Sequence, residues 1–243
     1  MSQPRRRFWT AAAAQPLSPD APGGWTVTLD GRPIRTPAGA PLALPTAALA
    51  RAVAAEWDAQ PETLDPEALP LTRAANTALD RVAPRRPEVA AEIAAYAAAD
   101  LLTHRAPGPE ALIARQTALW DPPLDWAART LNARLILTEG VMPVDQPPAA
   151  LDALAAAVNA FEPFALTGLH ELTAISGSVV LGLAVAHRAL TPETAWEAAI
   201  LDEAFQAGQW GEDPEAARRR ALRRAAFLDA RAFLDLLDAK DPA

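Results

Sequence analysis

Covalent chemistry would require a nucleophile beside its base, a phosphate cradle or a cluster of metal ligands, and the residues able to supply these are few. His104, His170 and His187 form no HxxxH or HExxH pair and are widely separated along the chain, so their spacing offers no zinc site. There is no GxGxxG, and the lone lysine, Lys240, is in no Walker loop. Ser176-Gly177-Ser178 has the composition of a catalytic turn. It falls inside an apolar run with helical character and has no suitably placed histidine, so it reads as packing. The lack of cysteine removes disulfides, thiolate metal sites and a cysteine nucleophile. No metal or cofactor is expected.

What stands out is tryptophan beside acid: Glu56-Trp57-Asp58, Trp120-Asp121, Asp125-Trp126 and Trp210-Gly211-Glu212-Asp213. Tryptophans can fill a core while their neighbours cap helices, but tryptophan is also the residue most enriched at binding hot spots. Glu203 falls on the same helical stripe as Trp196 and Ile200. A carboxylate on an apolar face either pairs with an internal arginine or meets a partner's basic group, and the pattern leaves both open. Further on, Arg220, Arg224, Phe227 and Arg231 share one side of a helix, with Leu222, Ala226, Phe233 and Leu237 on another. The arginine side reads as a solvated face laced to acids of the preceding helix, or, less well, as an RNA-binding stripe.

The elements positioning these residues fall into two groups. Trp25, Val27 and Leu29 alternate with polar residues before Asp30-Gly31, which predicts a hairpin with Arg32–Thr36 whose second strand, carrying Pro33, is an edge or pairs through its other side. From Thr46 the period becomes helical, with Leu49, Val53 and Trp57 on one stripe able to cover the sheet. A proline-rich connector over 61–70 leads into a chain that is nearly all helix: 71–82, 87–103, 109–120, a break at Asp121-Pro122-Pro123, then 124–132 and 146–160, with 134–138 extended. The run 166–187 predicts one central helix, with Ser178, Gly182 and Ala186 admitting a close neighbour. Thr191-Pro192 and Asp213-Pro214 each start a further helix. The fold class is therefore α+β: a small N-terminal sheet-plus-helix domain, 1–70, followed by a larger all-helical domain, 71–243.

With 243 residues, 51% hydrophobic, the chain can bury a real core, and no apolar run is long enough to span a bilayer. A net charge of −8 disfavours nucleic acid and anionic lipid as general partners. The basic start, Arg5-Arg6-Arg7-Phe8-Trp9, lacks the apolar core of a signal peptide, so a cytoplasmic protein is expected.

Six segments in order carry a resemblance. They are Leu29-Asp30-Gly31-Arg32-Pro33 with Thr36-Pro37, Ala55-Glu56-Trp57-Asp58-Ala59-Gln60, Pro70-Leu71-Thr72, Asp100-Leu101-Leu102, Gln116 with Trp120-Asp121-Pro122, and Leu201-Asp202-Glu203 with Phe205-Gln206 and Gln209–Asp213. Together they resemble the assembly chaperones of the F-type ATP synthase catalytic head that handle its alpha subunit, from about Phe8 to Leu237. Thr103 and His104 stand where that family commonly has Cys and Tyr. The resemblance implies a bacterial cytoplasmic protein without enzymatic activity, monomeric when free, that holds the alpha subunit until beta subunits replace it. It picks out Trp57, Glu203, Gln206, Trp210, Glu212 and Asp213 as partner-binding residues, and Phe227, set among arginines, joins them. The competing reading is a small-molecule enzyme using Glu203, Glu212 and Asp213 as general acid and base.

Overall fold

In the computed structural model, residues 6–18, 21–140 and 144–239 are described, leaving Arg5 and Lys240 outside. The Asp30-Gly31 pair takes φ of 48° and 80°, the left-handed conformation a two-residue hairpin turn needs, and joins β2 (Ala21–Leu29) to β3 (Arg32–Pro33). Hydrogen bonds from the amides of Ala11 and Thr10 hold the Asp30 carboxyl below its usual range. A strand that the sequence does not announce, β1 (Ala12–Ser18), pairs antiparallel with β2 from Ala12↔Leu29 to Pro16↔Trp25, making the order β1-β2-β3 with Pro33 on the edge. Thr46 caps α1 (Ala47–Asp58) by accepting the Leu49 amide at 3.1 Å, and its hydroxyl donates to the Leu236 carbonyl. Val27 of the sheet, Leu42 and Leu44 after it, and Leu49 and Val53 of α1 form one buried cluster with Phe233.

The chain divides into two compact units. One takes residues up to Arg85, Pro163–Thr167 and the chain from Ala232; the other takes Arg86–Glu162 and Gly168–Arg231. The stretch 71–85 thus packs with the N-terminal sheet: α2 (Pro70–Thr77) contributes Ala75 to the buried cluster, and a wide turn over Ala78–Val82 prolongs it.

The second unit holds α3 (Arg86–Ala94), α4 (Glu110–Thr130), α5 (Pro148–Asn159), the greater part of α6 (Pro163–Ser176), α7 (Val179–Ala186), α8 (Pro192–Ala199), α9 (Leu201–Trp210) and α10 (Pro214–Asp238) up to Arg231. A two-residue parallel pairing joins β4 (His104–Arg105) to β5 (Thr138–Glu139). Several helix boundaries differ from the sequence expectation: the helix expected over 87–103 ends at Ala94 and continues only as 3-10 turns over Ala95–Ala99 and Leu101–Thr103, on either side of an extended Asp100. No break occurs at Asp121-Pro122-Pro123: α4 runs through both prolines. Each proline removes an amide donor at a cost of roughly 3 kcal/mol. Packing offsets this, since Trp120, Pro123 and Ala127 are buried and the Trp120 indole donates to the Ala198 carbonyl at 2.9 Å. The central helix, in contrast, is two helices. Gly177, at φ 73°, ends α6, and the Ser178 hydroxyl accepts the Leu181 amide to start α7. Gly182 does admit a close neighbour, but that neighbour is α6, which the sequence reading made part of the same helix: a Cβ on Gly182 would lie 2.5 Å from Thr173 Oγ1.

Asp100 holds this junction. Fully buried, it accepts the amides of Leu102 at 3.0 Å and Val180 at 3.2 Å, so a carboxylate sits on the positive end of α7. Burial outweighs these bonds and that of the Ser178 hydroxyl, raising its pKa to about 6. Gln146 clamps the extended 134–137 segment, its side chain bonding both the amide and the carbonyl of Ile136. No helix among the described residues is long and apolar enough to cross a membrane.

Candidate protein-binding surface

Of the four tryptophan–acid neighbours, three belong to the packing. The Glu56 carboxylate accepts the amides of Leu71 and Thr72 and the Thr72 hydroxyl, so it caps α2, and burial raises its pKa. Trp57 is half-buried; its indole donates to Thr72 Oγ1 at 3.2 Å, and its ring lies 5.1 Å from Trp9. Phe8, which the sequence did not single out, is 77% exposed and stands edge-on against Trp9. Trp120 is buried, with Asp121 paired to Arg105 at 2.7 Å. Trp126 is half-buried beside His187 at 5.9 Å, and Asp125 reaches Arg129 at 3.8 Å.

Trp210 is the exception. It ends α9 at 88% exposure, the chain turns at Gly211 with φ 87°, and Asp213 restarts the helix by accepting the Ala216 amide at 2.9 Å. Glu203, Gln206 and Trp210 fall at i, i+3 and i+7, on one face of α9. Glu203 is paired internally: Arg220 lies 3.0 Å from one oxygen and Arg223 3.1 Å from the other. Arg220 also grips Glu212 at 2.6 Å, and Arg223 lies 5.6 Å over the Trp196 ring. Burial pulls the Glu203 pKa upward, but the hydrogen bonds and charges of Arg220 and Arg223 prevail and hold it below the usual range. This lattice fastens α9 to α10 and fixes the helix that ends in Trp210, leaving Gln206 exposed beside it.

Phe227, expected at the partner surface, is fully buried with its ring 6.0 Å from Trp196, so it packs beneath that surface. Arg231 is buried too, its guanidinium bonded to the carbonyls of Val185 and Ala186 at the end of α7. On the side carrying Leu222, Ala226, Phe233 and Leu237, Leu222 is 64% exposed and Ala226 exposed, whereas Phe233 is buried and Leu237 packs against the cluster around it. Neither side of α10 as read from the sequence is wholly inward: Phe227 and Arg231 are buried while Arg224 is exposed, and the helix belongs to one unit up to Arg231 and to the other from Ala232. The Glu203 stripe with Trp196 is also interrupted, because the backbone leaves helical geometry at Ile200 between α8 and α9. Ser176 Oγ donates to the Leu172 carbonyl and Ser178 caps α7. No group of three or more potential metal-ligating side chains lies together among the described residues.

Comparison with known proteins agrees with this organisation. The profile of the ATP12 chaperone protein family matches residues 6–128. The crystal structure of Atp12 from Paracoccus denitrificans is 47% identical, covering 96% of this chain and 98% of that one, with a TM-score of 0.90. A variant of that protein with lysine in place of an aspartate superposes equally well. A candidate chaperone from Agrobacterium tumefaciens is 45% identical over 96% of this chain and 86% of its own, also at 0.90. With that identity along nearly its whole length, and with the α+β architecture shared, the chain belongs to the ATP12 chaperone family.

Proposed function

We propose that this chain is an assembly chaperone for the alpha subunit of the F-type ATP synthase catalytic head, acting in the bacterial cytoplasm. It holds free alpha subunit, shields the seam that beta will occupy, and yields it when beta arrives. The observation that carries the reading is Trp210, a large apolar ring left 88% exposed at the end of a helix. An isolated exposed tryptophan adds nothing to the fold, whereas on a binding surface it can supply several kcal/mol. Gln206 beside it and the acids Glu212 and Asp213 after it add polar and negative groups suited to a rim. An exposed aromatic anchor with a polar rim is compatible with moderate affinity, which suits displacement by beta.

The same geometry weighs against catalysis by Glu203, Glu212 and Asp213. The first two are held by Arg220, and the third is spent capping α10. The test is capture of purified alpha subunit by the native chain and by Trp210→Ala. Capture should weaken at least roughly 30-fold in the variant while its melting temperature stays unchanged. Equal capture by both would remove Trp210 from the interface, and no capture by the native chain would overturn the reading.

A further inference from the structure

A second apolar feature lies on the opposite flank of α9. Arg115, Ala118 and Leu119 of α4, Glu197 of α8, Ile200, and Leu201 and Ala204 of α9 line an open cleft of about 310 Å³. Its walls are fixed from behind. Buried Gln116 donates to Asp202 at 2.8 Å while accepting the Ala106 amide, which pins α4 to the start of α9. One turn later Trp120 donates to the Ala198 carbonyl, which pins α4 to α8. Neither residue lines the cleft, so these hydrogen bonds hold its walls without filling it. Arg115 lies 5.5 Å over the Phe205 ring and makes no ion pair among the described residues. In a chain of net charge −8, an exposed, unpaired guanidinium fixed at the rim of a preformed apolar cleft is complementary to a carboxylate.

We infer that this cleft is an anchor socket for the client: it takes one leucine- or phenylalanine-sized side chain from an amphipathic segment of the alpha subunit, and Arg115 pairs with a carboxylate on that segment. The inference rests on the alpha-subunit reading and adds to it the class of segment recognised and a contact site on α4. The size fits, because the volume is at the lower end of ligand pockets and suits one large side chain with its backbone. A rigid socket also lowers the ordering cost of binding.

The experiment uses the full chain and purified free alpha subunit, comparing native protein with Ala118→Phe, Arg115→Glu and Arg115→Lys. Ala118 and Arg115 are exposed, so the variants should melt as the native chain does. Ala118→Phe and Arg115→Glu should each weaken capture at least about 10-fold, and Arg115→Lys less than about 3-fold. Native capture left unchanged in the first two variants would overturn the socket and leave the alpha-subunit reading standing. Failure of the native chain to capture alpha would overturn both. A concentration-dependent dimer of the native chain that Ala118→Phe abolishes would assign the cleft to a second copy and likewise overturn the inference.

Discussion

Replacing Glu203 by alanine separates the two roles its sequence context left open. The carboxylate side chain is 38% exposed and faces Arg220, 18% exposed, and Arg223, 44% exposed. Pairs of such partial exposure contribute about 0.2 to 1 kcal/mol each. Losing both, with Arg220 still held by Glu212, should cost about 0.4 to 2 kcal/mol. For a chain of this size that corresponds to a fall in Tm of about 1 to 8 °C. Calorimetric melts at low salt and at about 0.5 M salt should show the difference shrinking as the charges are screened. Because the folded pKa of Glu203 is lowered, its contribution is present above the usual glutamate range and fades as pH falls through the folded value. Glu203→Lys should be worse, placing a third cation against Arg220 and Arg223. Well below both melting transitions, Glu203→Ala should capture alpha within about 3-fold of native, since its effect is on the lattice beneath Trp210. An unchanged Tm at low salt combined with lost capture would refute this and make Glu203 a direct contact.

Gly182→Ala should destabilise by about 1 to 3 kcal/mol in denaturant melts, because the added Cβ meets Thr173 Oγ1 at 2.5 Å and Leu169 at 3.3 Å. Thr173→Ala in the same chain should recover at least half, since that hydroxyl is buried without a hydrogen-bond partner; no recovery would contradict the contact. Asp100 predicts the opposite pH trend to Glu203. With a folded pKa raised from 3.8 to about 6, the folded state binds the extra proton, so the group's stabilisation is greatest below pH 4 and is lost as pH rises through about 6. The shift sets a span of up to about 3 kcal/mol, and the penalty of Asp100→Asn in urea melts should shrink by about that much between pH 4 and pH 7. A constant penalty would refute it.

What local chemistry dictates was legible. Asp30-Gly31 makes its turn, Thr46 and Thr191 cap their helices, and Asp213-Pro214 starts α10 where the residue types require. Of the arginines expected to lace α10 to acids before it, Arg220 does so with Glu203 and Glu212, whereas Arg231 is buried against the carbonyls of α7 and Arg223, outside that stripe, supplies the second contact to Glu203. Features set by distant packing were not legible. β1 has no alternation, and its strand conformation comes from pairing with β2. Pro122 and Pro123 read as a stop because the compensating burial of Trp120 lies in another part of the chain. Gly177 read as part of a helix because its flanks are apolar, yet the Asp100 carboxylate 80 positions before Val180 makes a new helix start favourable just after it. For the candidate surface, tryptophan beside acid marks several places alike, and only burial separates exposed Trp210 from half-buried Trp57 and buried Trp120. Phe227, read as exposed among arginines, is buried, and Leu222, read as part of the apolar side, is exposed, because which residues of α10 are covered is set by packing against distant parts of the chain.

The central claim is most directly tested by co-expressing the chain with the alpha subunit and, separately, with the beta subunit, and measuring how much of each becomes soluble and co-purifies. The account predicts that alpha becomes soluble and comes down with the chain, that beta does not, and that adding beta to the isolated complex releases the chain. Beta captured as well as alpha, or alpha remaining insoluble whether or not the chain is present, would contradict it.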